Sequence, residues 1–392
     1  MINLSRHRAR LVAVAATVGA VGAVSAFALS NASASTDASG NSHSLTVHQI
    51  AFGSKLHHSF KPSGTGAAVT EALAGPDDLS LLGDHIFVGF QNGVGPQGEP
   101  STSGNLDSTV VEFTRDGAEV RQWDVKGKDD GLTADPLTGN IIATSNEDAN
   151  SSLYTIAPKT GKVVHYAYNE ALPHLGGTDA ISIYRGQILI SASAPGTTGT
   201  APANAPAVYV VRLDATTKVA TVRPLFAVNA TAIAVNGSSA GSPVTLALTD
   251  PDSSEVVPAS SAAFGGEFML NSQGDQELIF TRSTRPAASL HVLSLPTSVD
   301  DSAWGTGEDG VLYSTDSSSN TLDVIKGSFG KGTMYTAVTP CNANSAPSTC
   351  PAPGYPAPYL GTVNLTTGAI TKITTSGAAI QPKGMIFVPS SN

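Results

Sequence analysis

Apolar residues along this chain come in short runs rich in Val, Ile, Thr and Tyr, and Gly, Pro, Asn or Asp closes each run. That is the pattern of strands separated by turns. After the N-terminal segment, no stretch longer than ten residues carries a helical period. One phrase recurs: an acid, a first apolar run, a turn, then a second and stronger apolar run. Asp78 heads DLSLLGDHIFVGF, Asp130 heads DGLTADPLTGNIIAT, and Asp179 heads DAISIYRGQILISAS. Glu267 heads EFMLNSQGDQELIFT and Asp301 heads DSAWGTGEDGVLYST. A copy without an acid begins at Thr231, in TAIAVNGSSAGSPVTLALT, and a truncated one, KGMIFVP, spans Lys383 to Pro389.

After most copies a second hairpin-like pair follows, as in SLYTIAPKTGKVVHYAY (Ser152–Tyr168), AVYVVRLDATTKVATV (Ala207–Val222) and YLGTVNLTTGAITKIT (Tyr359–Thr374). Two hairpins in series make a four-stranded antiparallel unit, and units recurring about every 35 to 55 residues have the spacing of propeller blades. The expected fold is therefore all-β, a β-propeller, rather than a β-sandwich with accidental repeats. Counting first strands gives seven blades, with six as the alternative. The count strains at the end, where four strand-like runs lie between Asn320 and Thr374 although one blade needs two. The last copy, near the C-terminus, has no strands after it, so the ring is expected to close through both chain ends. SLTVHQIAF (Ser44–Phe52) is the N-terminal strand for that role.

On this blade pattern, from Ala72 to Pro389, the chain resembles secreted bacterial propellers of the YVTN/NHL-like superfamily. That group includes gluconolactonase/regucalcin-type lactonases and virginiamycin B lyase. The signal style and the Ala/Gly/Thr-rich usage look actinobacterial. The resemblance implies a metal held by carboxylate and amide ligands at the mouth of the axial channel, although those ligands do not map residue by residue onto this sequence. A propeller fold by itself implies no chemistry.

Composition places the chain among folded proteins: 41% of its 392 residues are hydrophobic and only 13% charged. Arg6, Arg8 and Arg10 precede an uncharged run, Leu11–Leu29, and Ala32-Ser33-Ala34 matches a small-residue cleavage site. The alternative is an uncleaved membrane anchor. The expected organisation is a signal peptide at 1–34, an N-terminal segment at 35–71 carrying the closing strand 44–52, and a propeller at 72–392. Without residues 1–34 the chain keeps 18 Lys+Arg against 31 Asp+Glu, a formal charge of −13. Such a polyanion disfavours nucleic acid and anionic lipid as partners and favours cations. No later segment is long and apolar enough to span a membrane. Cys341 and Cys350, in CNANSAPSTC, are expected to form one local disulfide in an exported protein; a two-ligand metal clip is the alternative.

The acid-headed strands are the main candidate chemistry. In the expected register Asp78, Asp130, Asp179, Glu267 and Asp301 ring one mouth of the channel. Such a ring repels itself unless protons or cations neutralise it, and hard oxygen ligands suit Ca²⁺ or Mg²⁺. The competing expectation is that each acid caps backbone N–H groups in a turn between blades. TDPDSSE (Thr249–Glu255) and SNEDAN (Ser145–Asn150) read as local Ca²⁺ loops or as solvated acidic turns. GSSAG (Gly237–Gly241) matches G-x-S-x-G but lacks the strand-to-helix context that motif needs. His174, five residues before Asp179, is the one weak candidate for a general base. The loops Gln91–Asn105 and Ala192–Ala207 could roof the mouth. The expected function is a secreted propeller presenting an acidic, cation-binding mouth to a small molecule, glycan or protein. The alternative is a metal-dependent lactonase-like hydrolase or lyase.

Overall fold

The computed structural model describes residues 45–62, 66–172, 177–193, 204–286, 288–340 and 357–390. Cys341, Cys350 and His174 lie outside these residues. Among the described residues the regular structure is β-strand apart from one 3-10 turn, and no helix is long and apolar enough to cross a membrane.

The strands form a β-propeller. Six of them lie innermost: Pro76–Leu82, Asp129–Asp135, Ile181–Tyr184, Pro251–Val256, Val299–Trp304 and Met385–Pro389. Each packs against the next, and the last packs against the first, so the ring is closed. The blades are numbered 1 to 6 in that order. The second and third strands are the apolar runs visible in the sequence, such as His85–Phe90 and Asp107–Thr114 in blade 1. They are buried on nearly every position because a neighbouring blade covers each face. Outer strands such as Glu119–Lys126 are mostly exposed.

Six innermost strands replace the expected seven for two reasons. The copy beginning at Thr231 does not reach the axis. Its strands Thr231–Ala234 and Pro243–Thr245 extend the outer edge of blade 4, the first pairing in parallel with Leu290–Ser294. GSSAG sits in the turn between them. In addition, blades 5 and 6 are interleaved. The chain leaves Val299–Trp304, lays down Gly310–Asp316 and Thr321–Lys326 in blade 6, then returns to blade 5 for Met334–Val338, Tyr359–Val363 and Ile370–Lys372. This excursion accounts for the surplus of strand-like runs. Blade 6 is completed by Met385–Pro389 on the inside and by Leu45–Phe52 on the outside. Both chain ends thus close the ring, as expected from the sequence.

One irregularity recurs at the head of every innermost strand. Two residues there face a single residue of the second strand: Asp77 and Asp78 in blade 1, Asp130 and Gly131 in blade 2, Asp252 and Ser253 in blade 4, Asp300 and Asp301 in blade 5. Blades 3 and 6 repeat it through identical backbone bonds. Asp179 N–H donates to Ser191 O and Ser191 N–H to Ala180 O, while Lys383 N–H donates to Thr315 O and Thr315 N–H to Gly384 O. A two-against-one bulge bends a strand and re-aims its side chains.

Each bulge also bonds to the following blade. Asp78 Oδ2 accepts from Leu132 N–H at 2.6 Å, and Asp301 Oδ2 from Met385 N–H at 2.6 Å. Thr144 Oγ1 donates to Asp179 O at 2.6 Å, and Asn271 Nδ2 to Asp300 O at 2.7 Å. Ala180 N–H donates to Asp252 O at 3.0 Å, and Thr315 Oγ1 donates to Asp77 O. The second bulge residue is glycine where the next blade comes closest. A Cβ at Gly131 would run into the carbonyl of Asp179, and one at Gly384 into that of Asp77.

Two outcomes test this architecture. Deleting Leu45–Phe52 should expose the Thr321–Lys326 edge, lower the melting temperature and raise light scattering on heating; an unchanged melt would refute closure through this strand. Asp301→Ala should strand the Met385 N–H and cost about 1–3 kcal/mol in urea unfolding. Asp301→Asn keeps an acceptor and should stay near wild type, so equal losses in both variants would contradict the seam role.

Candidate functional site

The first residues of the six bulges form a collar at one end of the central axis: Asp77, Asp130, Asp179, Asp252, Asp300 and Lys383. All six line a single cavity of about 430 Å³, together with Asp78, Asp301 and Glu255. The expected acids therefore divide into three groups. Asp130 and Asp179 belong to the collar. Asp78 and Asp301 occupy the second bulge position and act as backbone acceptors at blade seams, the capping role weighed above. Glu267 is elsewhere: it precedes Phe268–Ser272, the second strand of blade 4, and pairs with Arg282 at 3.0 Å. The collar residue of that blade is Asp252, inside the segment read from sequence as an acidic loop.

Two ammonium groups act on one side of the collar. Lys383 Nζ lies 2.7 Å from Asp77 Oδ1. Lys128 Nζ lies 3.6 Å from Asp130 Oδ1 and pairs with Glu147, from the SNEDAN turn. Gln91, the first residue of an expected roofing loop, donates to Asp130 Oδ1 at 3.2 Å and also to Asp77. Among the described residues, no Lys, Arg or His nitrogen lies within 4.0 Å of Asp179, Asp252 or Asp300. Among the described residues, two buried oxygens of the collar lack a donor, Asp130 Oδ2 and Asp252 Oδ2.

This distribution controls protonation. Burial, then repulsion from neighbouring acids, pushes the carboxyls of Asp130, Asp179 and Asp252 well above the usual carboxylate range. Burial and the nearby Asp78 and Glu255 do the same to Asp301. Burial carries Asp78 up to about 7 and Glu255 up to about 8. Glu147 moves the other way: burial opposes ionisation most, but Lys128, a hydrogen bond with Asp130 and the more distant Lys383 together outweigh it. Burial would lower both lysines, yet the surrounding acids hold Lys128 and Lys383 above their ordinary value.

Asp130, Glu147 and Asp179 each offer an oxygen, all within 4.8 Å of one another. With Asp130 Oδ2 left without a donor, this hard oxygen set fits Ca²⁺ or Mg²⁺. A metal ion there would have to displace the Lys128 ammonium. The sequence pattern does not single out Asp77, Asp300, Lys383 or Lys128, and it places Asp252 and Glu147 only in the local acidic segments TDPDSSE and SNEDAN, not at the axis. Doubled aspartates at 77–78 and 300–301, and the head of KGMIFVP, were the available signals.

No family model matches the chain, and no curated protein matches it. Solved structures resemble it at low identity. A protein from Bacteroides fragilis, provisionally assigned as a 6-phosphogluconolactonase, is 13% identical over 89% of this chain and 99% of its own, with a TM-score of 0.43. Citrobacter koseri AztD is 14% identical over 89% and 99%, with a TM-score of 0.37. A Lactobacillus plantarum protein is 9% identical over 88% and 99%, with a TM-score of 0.42. Likeness at this level transfers no activity. The charge balance of the cavity is testable directly. Asp78 and Glu255 titrate near 7 and 8 when folded, against roughly 4 when unfolded. The stability this shift confers is complete below the unfolded values and is lost as pH rises through 7 to 8. With divalent cations chelated, the melting temperature should therefore be higher at pH 5.5 than at pH 8.5. A higher melting temperature at the alkaline end would contradict the assigned burial.

Proposed function

We propose that this chain is an exported, non-catalytic propeller that binds a cation, free or carried by a ligand or partner, at its acidic axial mouth. The observation that carries the reading is the collar: five aspartates and one lysine on equivalent bulges, with two buried carboxylate oxygens left without a donor. A cation entering the collar removes mutual repulsion and supplies the missing partner. Export rests on the Arg-led apolar N-terminus and its small-residue site. The absence of catalysis rests on the bonding of the acids: Asp78 and Asp301 are engaged at seams and Asp77 by Lys383.

A second reading, a metal-dependent lactonase-like hydrolase or lyase, draws on the clustering of Asp130, Glu147 and Asp179. Here the metal would be held by those three oxygens and would polarise a carbonyl.

Ca²⁺ or Mg²⁺ should raise the melting temperature of chelator-treated protein. A ligand present at a hundred times its Kd adds about 2.7 kcal/mol. Asp130→Asn with Asp179→Asn should abolish the response while the protein still folds. Lactone hydrolysis that appears with the metal and vanishes in the double variant would favour the enzyme. A melting temperature indifferent to chelator and metal would leave the collar to protons and lysines.

A further inference from the structure

The cavity changes character along its length. Its acids stand at the strand heads, except Glu255, which lies near the end of Pro251–Val256. Further along the same strands the lining becomes apolar, with Leu81, Ile183, Val256 and Phe387, and with Trp304 on blade 5. From Asp179 to Ile183 is about 13 Å at the rise of a β-strand. A bare metal ion would use only the acidic end and leave the apolar wall unused.

The collar also displays the kind of cation it accepts. Both ammonium groups that reach these acids are primary amines on alkyl stems, Lys383 on Asp77 and Lys128 beside Asp130. They leave Asp179 and Asp252 without a cation within 4.0 Å among the described residues. Two independent observations point to a missing occupant. Asp130 is 8% exposed, lines the cavity, and has a buried oxygen with no donor. Trp304 is 5% exposed, lines the cavity, and its Nε1–H has no acceptor.

We infer that the axial cavity binds an organic ammonium ion, its charged head in the collar beside Asp179 and Asp252 and its hydrocarbon body along the inner strands against Trp304. This rests on the cation-binding reading above and specifies its ligand. The ammonium supplies several donors to clustered carboxylates. The body removes apolar surface from water, which a metal ion cannot do. A purely apolar ligand would offer these acids no donor.

The chain has two tryptophans, so Trp123→Phe leaves Trp304 as the only indole reporter. Butyl-, hexyl- and octylammonium would be titrated into this variant, with hexanol, CaCl₂ and MgCl₂ in parallel, following fluorescence and melting temperature. The expected result is a change in Trp304 emission and an affinity rising about fourfold per added methylene. Hexanol should bind at least tenfold more weakly than hexylammonium. Asp179→Asn with Asp252→Asn should weaken hexylammonium at least tenfold. If that variant does not fold, the contrast between hexylammonium and hexanol decides alone. Stabilisation by metal with no response to any alkylammonium would overturn the ammonium ligand and leave cation binding standing. Equal binding of hexanol and hexylammonium would also overturn it. Silence to both metals and amines would sink both readings.

Discussion

The two-against-one bulge at the head of each innermost strand is the constraint on which the other features depend. It satisfies the seam, because one of its residues or the residue facing it bonds to the following blade at every junction. It also sets the site, because its first residue stands at the axis in all six blades. The second residue carries the structural load by different means. Asp78 and Asp301 reach forward as acceptors, whereas Gly131 and Gly384 make room for a carbonyl. Neighbouring positions thus answer to separate demands, closeness between blades and charge at the axis. Asp301 and Asp300 are adjacent in sequence, yet a change at one acts on a seam and at the other on the cavity.

Concentrating carboxylates at an axis is unfavourable in itself. Burial raises the cost of each charge, and each ionised neighbour raises it again. Three remedies exist: protons, cations built into the chain, and cations from outside. The fold already uses the first two. Protons remain on the most buried acids to unusually high pH. Lys128 and Lys383 cover the side of the collar formed by blades 1 and 2. Among the described residues, the other side, around Asp179 and Asp252, has neither a lysine in contact nor, at Asp252 Oδ2, a hydrogen-bond donor. This asymmetry supports the proposed ligand site over acids that merely cap turns.

The fold was legible because second and third strands are buried on both faces and therefore write continuous apolar runs. The site was legible only in part, because innermost strands do not obey that rule. Pro251–Val256 reads PDSSEV, with no apolar run to announce it. A repeat keyed to apolar runs therefore falls one strand late, on Glu267, and leaves Asp252 in an acidic loop. At Asp77–Asp78 and Asp300–Asp301 the pattern located the bulge but could not say which carboxylate faces the axis. A shift of one residue reverses the direction of a side chain, and hydrophobic patterning does not resolve a bulge. Blade order at the end was hidden for another reason: interleaving is a matter of pairing partners, and Gly310–Asp316 looks the same whether it pairs with Val299–Trp304 or with Met385–Pro389.

Ring closure and charge balance meet at one seam. Lys383 precedes Met385–Pro389, the strand that completes the ring, so the collar's single cation arrives with the last innermost strand. Three contacts then form between blades 6 and 1: Lys383 with Asp77, Thr315 with the Asp77 carbonyl, and Gly384 against that same carbonyl. A sixth aspartate there would have placed one more like charge between Asp300 and Asp77, at the junction between the two ends of the propeller. The lysine makes the closing seam attractive instead. The acid-free head of the sixth innermost strand is therefore the charge-compensating member of the ring rather than a degenerate one. Because Lys383 is committed to Asp77, the strongest remaining demand for a cation falls across the axis, on blades 3 and 4.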